Sequence, residues 1–295
     1  MITSKTDVDQ LIAAVKALPA RTNELFLEQS DQINPTRHSK PQKPKPGTYN
    51  PYVDDTTLGA TAAVLRTKAK MFDLPFVTRY VYLPKPFLIW PSQPNLDQFI
   101  DSGIENYGSW ARAYLYAEAA RVSNTISFYY FWTNESPYGA EVSIDAPMVL
   151  NGNVFGSANA AFFGGNHTNV RGMLILQPLK WTGFDPLPNG QSTMGADLGI
   201  RQAGEFLYMF YLDAYGGWGF GSPGEVSRSF AHKYFNSWSE SHWVPSGASI
   251  VIKVNAYLVV EPHGKTITDQ GWIDFASAGN AMVSTHVLLT VRTTI

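Results

Sequence analysis

Aromatic side chains concentrate between residues 215 and 243, and they are the side chains of this chain best suited to bind a ligand. Tyrosine and tryptophan stack on sugar rings and anchor protein interfaces, because they bury a large area at a small entropic cost. We therefore predict a ligand-binding surface on aromatic loops, formed by Tyr215, Trp218, Phe220, Trp238, His242 and Trp243. The alternative is a small satellite core under a long loop.

Four carboxylates flank the aromatic segments and are candidates for acid–base chemistry: Asp213, Glu225, Glu240 and Asp274. Hydrolysis of a glycosidic bond uses two carboxyl groups, one as an acid and one as a base or nucleophile. Residues 86–295 contain 16 acidic residues, so some of them must flank aromatic segments by chance. We assign no catalytic residue, and a carbohydrate-active hydrolase remains an alternative to a non-catalytic binding protein.

Cofactor and metal motifs are weak or absent in the sequence. Gly219 to Gly224 fits the glycine pattern of dinucleotide sites, but six residues separate it from the apolar run that ends at Leu212, and Pro223 lies inside it. That spacing does not give the tight strand-to-helix turn that holds a pyrophosphate. The six histidines show no metal-ligand spacing, and the chain has no cysteine. We predict no cofactor and no metal.

Charge is distributed unevenly along the chain. Residues 1–85 carry a net charge of +4 and residues 86–295 carry −6, for a total of −2. This total argues against nucleic acid as the main partner. The proline-rich segment 34–51 carries Arg37, Lys40, Lys43 and Lys45 without an acidic residue. We predict that this arm reaches a neighbouring copy in a homo-oligomer, although four charges in a stiff linker are also compatible with simple solvation.

The sequence contains no pattern for export or membrane insertion. Met1 to Leu18 includes charged residues, so it lacks the apolar centre of a signal peptide. No run of 18 apolar residues occurs, so we expect no transmembrane helix. The expectation is a soluble protein, cytoplasmic by default or exported without a classical signal peptide. A membrane-acting toxin, pore-forming or insecticidal in type, remains a third alternative for a cysteine-free, β-rich chain.

Two helices are predicted in the N-terminal part. Apolar residues from Val8 to Leu18 share one helical face, and Pro19 ends this helix. The second helix covers Gly59 to Phe72. With the proline-rich arm between them, residues 1–85 form a predicted N-terminal extension.

The remainder of the chain has the patterns of β-strands. Small and large residues alternate from Ser109 to Ala117, and aromatic or β-branched runs recur later, at 125–132, 206–212, 249–260 and 283–291. Asn151-Gly152 between apolar runs predicts a type I′ hairpin turn.

A loose similarity between the middle of the chain and its end predicts two related hairpin units, as in a double Greek key. We therefore predict a mainly β protein, in which residues 86–295 form a jelly-roll-like antiparallel β-sandwich. The predicted function is non-catalytic binding of a glycan or protein ligand, or self-assembly.

Overall fold

A computed structural model describes residues 76–91, 99–105, 108–160, 166–186, 192–197, 206–217, 222–264, 269–277 and 281–294. Within these ranges all regular structure is β-strand, which confirms the mainly β prediction. Both predicted N-terminal helices and the proline-rich arm lie outside the described residues. The division at residues 85 and 86 stays a prediction.

Fourteen strands follow one another along the described chain. Their bounds are β1 Phe76–Leu83, β2 Leu88–Pro91, β3 Phe99–Glu105, β4 Gly108–Glu118, β5 Val122–Thr133, β6 Ala140–Ala158, β7 His167–Pro186, β8 Ser192–Asp197, β9 Phe206–Tyr215, β10 Gly224–Val244, β11 Ser249–Pro262, β12 Gln270–Phe275, β13 Met282–Thr285 and β14 Val287–Thr294.

The strands form two antiparallel sheets, which we call sheet one and sheet two. In sheet one, β6 pairs with β10 on one edge and with β12, β13 and β14 in succession on the other. Beyond these, β4 pairs with β12 and β13, β3 pairs with β4, and β1 pairs with β14. In sheet two the order is β2, β5, β11 and β7, and both β9 and β8 pair with the far edge of β7.

Within each sheet, the strands that pair with each other are nested along the chain, so that early strands pair with late ones. Strand β4 pairs with β12 and β13 near the C-terminus, and β5 pairs with β11. Inside these pairs, β6 pairs with β10 and β7 pairs with β9. The C-terminal strands are therefore structural, as the apolar alternation of residues 283–291 predicts.

Side chains from both sheets enter one hydrophobic core. In β4, Ala111, Ala113 and Leu115 are fully buried, and the large residues between them face the other way. The sequence predicts this alternation, because successive side chains of a strand point to opposite faces. Residues from β5, β7 and β11 of sheet two complete the same core, including Phe128, Leu174 and Ile252.

One polar network inside the core links the two sheets. The hydroxyl of Tyr130, in sheet two, donates a hydrogen bond to the carbonyl of Thr285, in sheet one, at 2.9 Å. Ser109 donates to the same carbonyl, also at 2.9 Å. Burial raises the pKa of Tyr130 above its ordinary value of 10.0. A buried hydroxyl without a partner is costly, so this network favours one relative position of the two sheets.

The predicted hairpin turn at Asn151-Gly152 is wrong. Strand β6 passes through both residues without a break, and Asn151 pairs with Met282 of β13 whereas Gly152 pairs with Phe230 of β10. Gly152 has a φ of 148°, and a Cβ there would collide with the carbonyl oxygen of Asp274. Glycine serves here for a close approach of two backbones rather than for a turn. The local pattern cannot tell these two uses apart.

We expect Gly152→Ala to destabilise the protein strongly. The new methyl group overlaps the backbone of β12, and alanine is strained at this positive φ, which alone costs about 1–3 kcal/mol. Urea unfolding followed by circular dichroism measures the loss. Gly247→Ala is the matched control, because Gly247 has a φ of 71° but nothing within 4 Å of its would-be Cβ. An equal loss in both variants would show that backbone overlap at Gly152 contributes nothing.

Candidate functional site

Most of the predicted aromatic loop is a strand. Residues Gly224–Val244 form β10, a strand of 21 residues that pairs with the whole length of β6. The pairing shifts register twice, between Phe230 and Lys233 and between Ser239 and His242. His232 also has a φ of 50°. Such bulges break the alternation of inward and outward side chains. The sequence of β10 therefore lacks the period of two that identifies a strand.

Two predicted binding residues share the outer face of β10. Trp238 is 39% exposed, Trp243 is 60% exposed, and Tyr234 between the bulges is 47% exposed. We call these three residues the β10 surface. Among the described strands, β10 hydrogen-bonds only to β6, so it forms an edge of sheet one. Large apolar side chains on a sheet edge are typical of a surface that contacts a partner.

The other predicted binding residues lie elsewhere. His242 is buried in β10, and its Nε2 lies 2.7 Å from the hydroxyl of Ser239. Tyr215 ends β9 and belongs to the outer face of sheet two. Trp218 and Phe220 lie outside the described residues. The structure therefore brings only Trp238 and Trp243 onto one surface, and the binding role of all six residues stays a prediction.

A buried carboxylate lies beside the β10 surface. Asp145 of β6 is opposite Trp238 in the register and is 7% exposed. Burial raises the pKa of Asp145 above its ordinary value of 3.8, and a hydrogen bond from Asn236 of β10 partly offsets this effect. Its hydrogen-bond partner is the side-chain amide of Asn236 on the neighbouring strand.

A second group of functional side chains crosses three strands on the outer face of sheet two. We call it the cross-strand cluster, and the register of β9, β7 and β11 arranges it in rows. The first row is Tyr215, His167 and His263, the second is Asp213, Asn169 and Glu261, and the third is Tyr211, Arg171 and Val259.

Rings stack along the first row of the cluster. His167 lies with its ring centroid 5.9 Å from that of Tyr215 and 4.2 Å from that of His263. Backbone hydrogen bonding holds this geometry, because the amide of His263 donates to the carbonyl of His167 at 2.8 Å. Rings on neighbouring strands of a sheet can stack in this way because the strands are about 4.8 Å apart.

Hydrogen bonds and ion pairs connect the second and third rows. Tyr211 donates its hydroxyl proton to Oδ1 of Asn169 at 2.9 Å, and Nδ2 of Asn169 lies 3.1 Å from Nε2 of His263. Glu261 lies 3.4 Å from Arg171 and 3.8 Å from His263. The cluster thus joins both charge types and two titratable rings on one sheet face.

Several pKa values in the cluster are displaced. Burial raises the pKa of Asp213, whose Oδ1 is buried without a hydrogen-bond partner among the described residues. Burial and the neighbouring His167 lower the pKa of His263, against the attraction of Glu261 and Asp213. Burial and Asp213 raise the pKa of Tyr211 to about 12. Groups with displaced pKa values often mark functional sites.

Of the four carboxylate candidates, the three whose side chains the structure describes do not assemble into a pair. Asp213 lies on sheet two, whereas Glu225 and Asp274 lie in sheet one. Asp274 accepts hydrogen bonds from the amides of Ala276 and Ser277, which is a turn-forming role. The side chain of Glu240 lies outside the described set. Glu261, which the sequence analysis does not identify, is the carboxylate that shares a sheet face with Asp213.

The described residues contain neither a helix after the glycine motif nor a metal-binding group. Gly224 opens strand β10, so no helix N-terminus follows the motif to hold a pyrophosphate. Within the described ranges, no group of three histidine, aspartate or glutamate residues has the geometry of a metal site. The same ranges contain no helix long and apolar enough to cross a membrane.

Most of the cross-strand cluster is missed by sequence reasoning, which identifies only Asp213 and Tyr215. A signal is present, because polar residues alternate with buried ones at 167, 169 and 171, at 211, 213 and 215, and at 261 and 263. Each run indicates a strand with a polar outer face. The runs do not indicate that the three strands are neighbours.

Comparison with known proteins gives little. No protein-family model and no curated protein matches the chain. Among solved structures, one match is to a chain from "Structure of infectious bursal disease virus Gx strain", with 10% identity and a TM-score of 0.10. It covers 76% of this chain, and this chain spans about 61% of that one. Similarity of this size supports no conclusion about fold or function.

We expect Asp145→Asn to stabilise the protein at neutral pH by on the order of 1 kcal/mol, because it removes a buried charge and keeps an acceptor for Asn236. The folded pKa of Asp145 lies above 3.8, so the cost of ionisation is fully present above the folded pKa. The advantage of the variant should therefore shrink as pH falls through the folded pKa toward about 3.8.

Urea unfolding at several pH values measures this difference. Asp101→Asn is the control, because Asp101 is exposed and forms only a surface ion pair with Arg112 at 3.7 Å. A destabilised Asp145→Asn protein at pH 7 would show that the ionised carboxylate contributes favourably to folding.

Proposed function

We propose that this chain is a non-catalytic, self-assembling β-sandwich subunit of the jelly-roll class. In this proposal, copies of the chain associate through the β10 surface and through strand β1. The exposure of large apolar side chains on these two peripheral strands is the observation that carries the proposal. The nested strand pairing and the charge distribution support it further.

The strand pairing supports the jelly-roll class. With β8 set aside, eight strands from β4 to β12 pair first with last and so on inward: β4 with β12, β5 with β11, β6 with β10 and β7 with β9. That nesting is what results when one long antiparallel hairpin is rolled into two stacked sheets. Jelly rolls build viral capsid subunits and lectin domains among other proteins. The same topology occurs in proteins with different functions, so the function has to be inferred from the surface of the protein.

Strand β1 exposes large apolar side chains to solvent. It pairs with β14, and Val77, Tyr80 and Tyr82 are 42%, 53% and 49% exposed. Val77 and Tyr80 point to opposite faces of the strand, because they are an odd number of residues apart. An apolar strand exposed on both faces is costly in water and is typical of a segment that is covered in an assembly.

The β10 surface favours association through side chains. Exposed strand edges add further strands unless bulges or charges prevent it. The two register shifts of β10 interrupt its hydrogen-bonding edge, so extension of sheet one is disfavoured. Trp238 and Trp243 nevertheless remain available, and tryptophan is among the residues that contribute most to interfaces.

The charge distribution favours contact between copies. The sequence gives residues 1–85 a net charge of +4 and residues 86–295 a net charge of −6. Oppositely charged parts attract each other within a chain or between chains. The predicted basic arm at 34–51 contributes four of the positive charges of residues 1–85.

A glycan-binding surface on the cross-strand cluster is the second candidate function. Tyr211 and Tyr215 are exposed there, and the polar groups of Asp213, Asn169 and His263 lie between and beside them. Exposed tyrosines with hydrogen-bonding neighbours suit a sugar ring.

We expect the full chain to bind at least one oligosaccharide class on a glycan array if this second function is correct, and Tyr215→Ala to remove the signal. Tyr116→Ala, which alters an exposed tyrosine of sheet one, should leave the signal unchanged. Binding that survives Tyr215→Ala would place any glycan site elsewhere.

We expect the wild-type protein to form species larger than its 32.6 kDa monomer in sedimentation velocity experiments. Replacing Trp238 and Trp243 by serine, or Tyr80 and Tyr82 by serine, should weaken association roughly tenfold or more, since buried aromatic anchors dominate interfaces. Electron microscopy of negatively stained samples shows whether the larger species are closed shells.

Tyr116→Ser is the matched control for these variants, because Tyr116 is 40% exposed on β4 and belongs to neither the β10 surface nor strand β1. Circular dichroism confirms that each variant is folded. A wild-type protein that stays monomeric at every concentration and salt condition, or edge variants that assemble like the control, would contradict the proposal.

A further inference from the structure

The geometry points to a proton-sensitive clasp in the cross-strand cluster. We propose that the hydrogen-bond chain from Tyr211 through Asn169 to His263 fastens β9 to β7 and β11 when His263 is neutral, and loosens when His263 is protonated. This inference does not depend on self-assembly or on glycan binding.

The chain of hydrogen bonds has a direction. The hydroxyl of Tyr211 donates to Oδ1 of Asn169 at 2.9 Å, which leaves only the Nδ2 donors of Asn169 for the other partner. Nε2 of His263 lies 3.1 Å from Nδ2, so it must accept. An imidazole nitrogen accepts a hydrogen bond only when it carries no proton. The arrangement therefore selects the neutral ring with its proton on Nδ1.

Protonation of His263 removes this acceptor. The new N–H on Nε2 then faces an amide N–H, and Asn169 must turn its amide to present Oδ1 to His263. After that turn, the hydroxyl of Tyr211 faces the amide nitrogen and loses its acceptor. One proton thus disrupts contacts across three neighbouring strands, because Tyr211 lies on β9, Asn169 lies on β7 and His263 directly follows β11.

Neighbouring charges act on His263 from each strand around it. On β7, His167 stacks at 4.2 Å and Arg171 lies nearby, and both disfavour a second positive charge. On β11, Glu261 lies 3.8 Å away and favours the protonated ring, as does Asp213 on β9. Burial and His167 dominate, so the pKa of His263 lies below 6.5.

The remaining titratable groups near His263 are two tyrosines of β9 and one arginine. Tyr215 and Tyr211 on β9 have raised pKa values and stay neutral in the range concerned. Arg121, from the segment between β4 and β5, lies 4.0 Å from Glu261 and donates to the hydroxyl of Tyr257 at 2.7 Å. Arg121 and Arg171 therefore share Glu261 with His263.

The sign of the pH effect follows from the lowered pKa. Folding disfavours the protonated form of His263, so the stability that the clasp contributes is present above about pH 6.5 and is lost as pH falls through the folded pKa. Strand β9 should respond most, because it pairs only with β7 among the described strands.

Hydrogen–deuterium exchange of the full-length protein at pH 7.5 and pH 5.5, corrected for intrinsic exchange rates, tests the clasp. We expect peptides covering β9 to exchange up to about tenfold faster at pH 5.5, because pH 5.5 lies one unit below the ordinary histidine pKa of 6.5 and this interval limits the effect. His263→Gln should remove this difference, because the Oε1 of glutamine accepts from Asn169 and does not titrate.

His232→Asn is the control, because His232 is an exposed histidine of β10 whose positive φ asparagine tolerates. It should keep the pH response of β9. Asn169→Asp provides an independent test, because an aspartate accepts hydrogen bonds from both Tyr211 and protonated His263. In this variant, strand β9 should be more protected from exchange at pH 5.5 than at pH 7.5. A wild-type β9 without excess exchange in acid, a pH response that persists in His263→Gln, or an unchanged response in Asn169→Asp would overturn the proposal.

Discussion

Strand β6 is the constraint on which sheet one depends, because it is hydrogen-bonded along both edges. One edge is taken by β10 and the other by β12, β13 and β14 in succession. A shift of one residue would turn every inner side chain of β6, such as Ile144 and Met148, out of the core. The same register fixes which residues of β10 face outward, so the β10 surface follows from the pairing of β6.

The two candidate surfaces belong to different sheets, but the strands that carry them meet where β9 ends and β10 begins. Tyr215 ends β9 in the cross-strand cluster, and its carbonyl packs directly against Gly224, where any side chain would collide with it. Gly224 is the first residue of β10, the strand that carries the other surface. Contacts that hold the end of β9 therefore also fix the position at which β10 begins.

Sequence patterns predicted the structure where burial follows a simple period. The alternation around Ala111 and the apolar faces of β11 and β14 could be recognised, because neighbouring positions report directly which face is buried. The same reasoning failed where glycine and bulges intervene. Gly152 has the composition of a turn inside a continuous strand, and the bulges around His232 hide the period of β10.

The sequence by itself determined the β class, the position of several core strands and the exclusion of cysteine chemistry, because these depend on composition and on neighbours in the chain. Only the tertiary structure decided that Asn169 and His263, 94 residues apart, share a hydrogen bond, and that Trp238 and Trp243 share an exposed edge. Sheet neighbours are chosen by long-range pairing and register, and a local pattern carries no information about which distant strand will supply the partner.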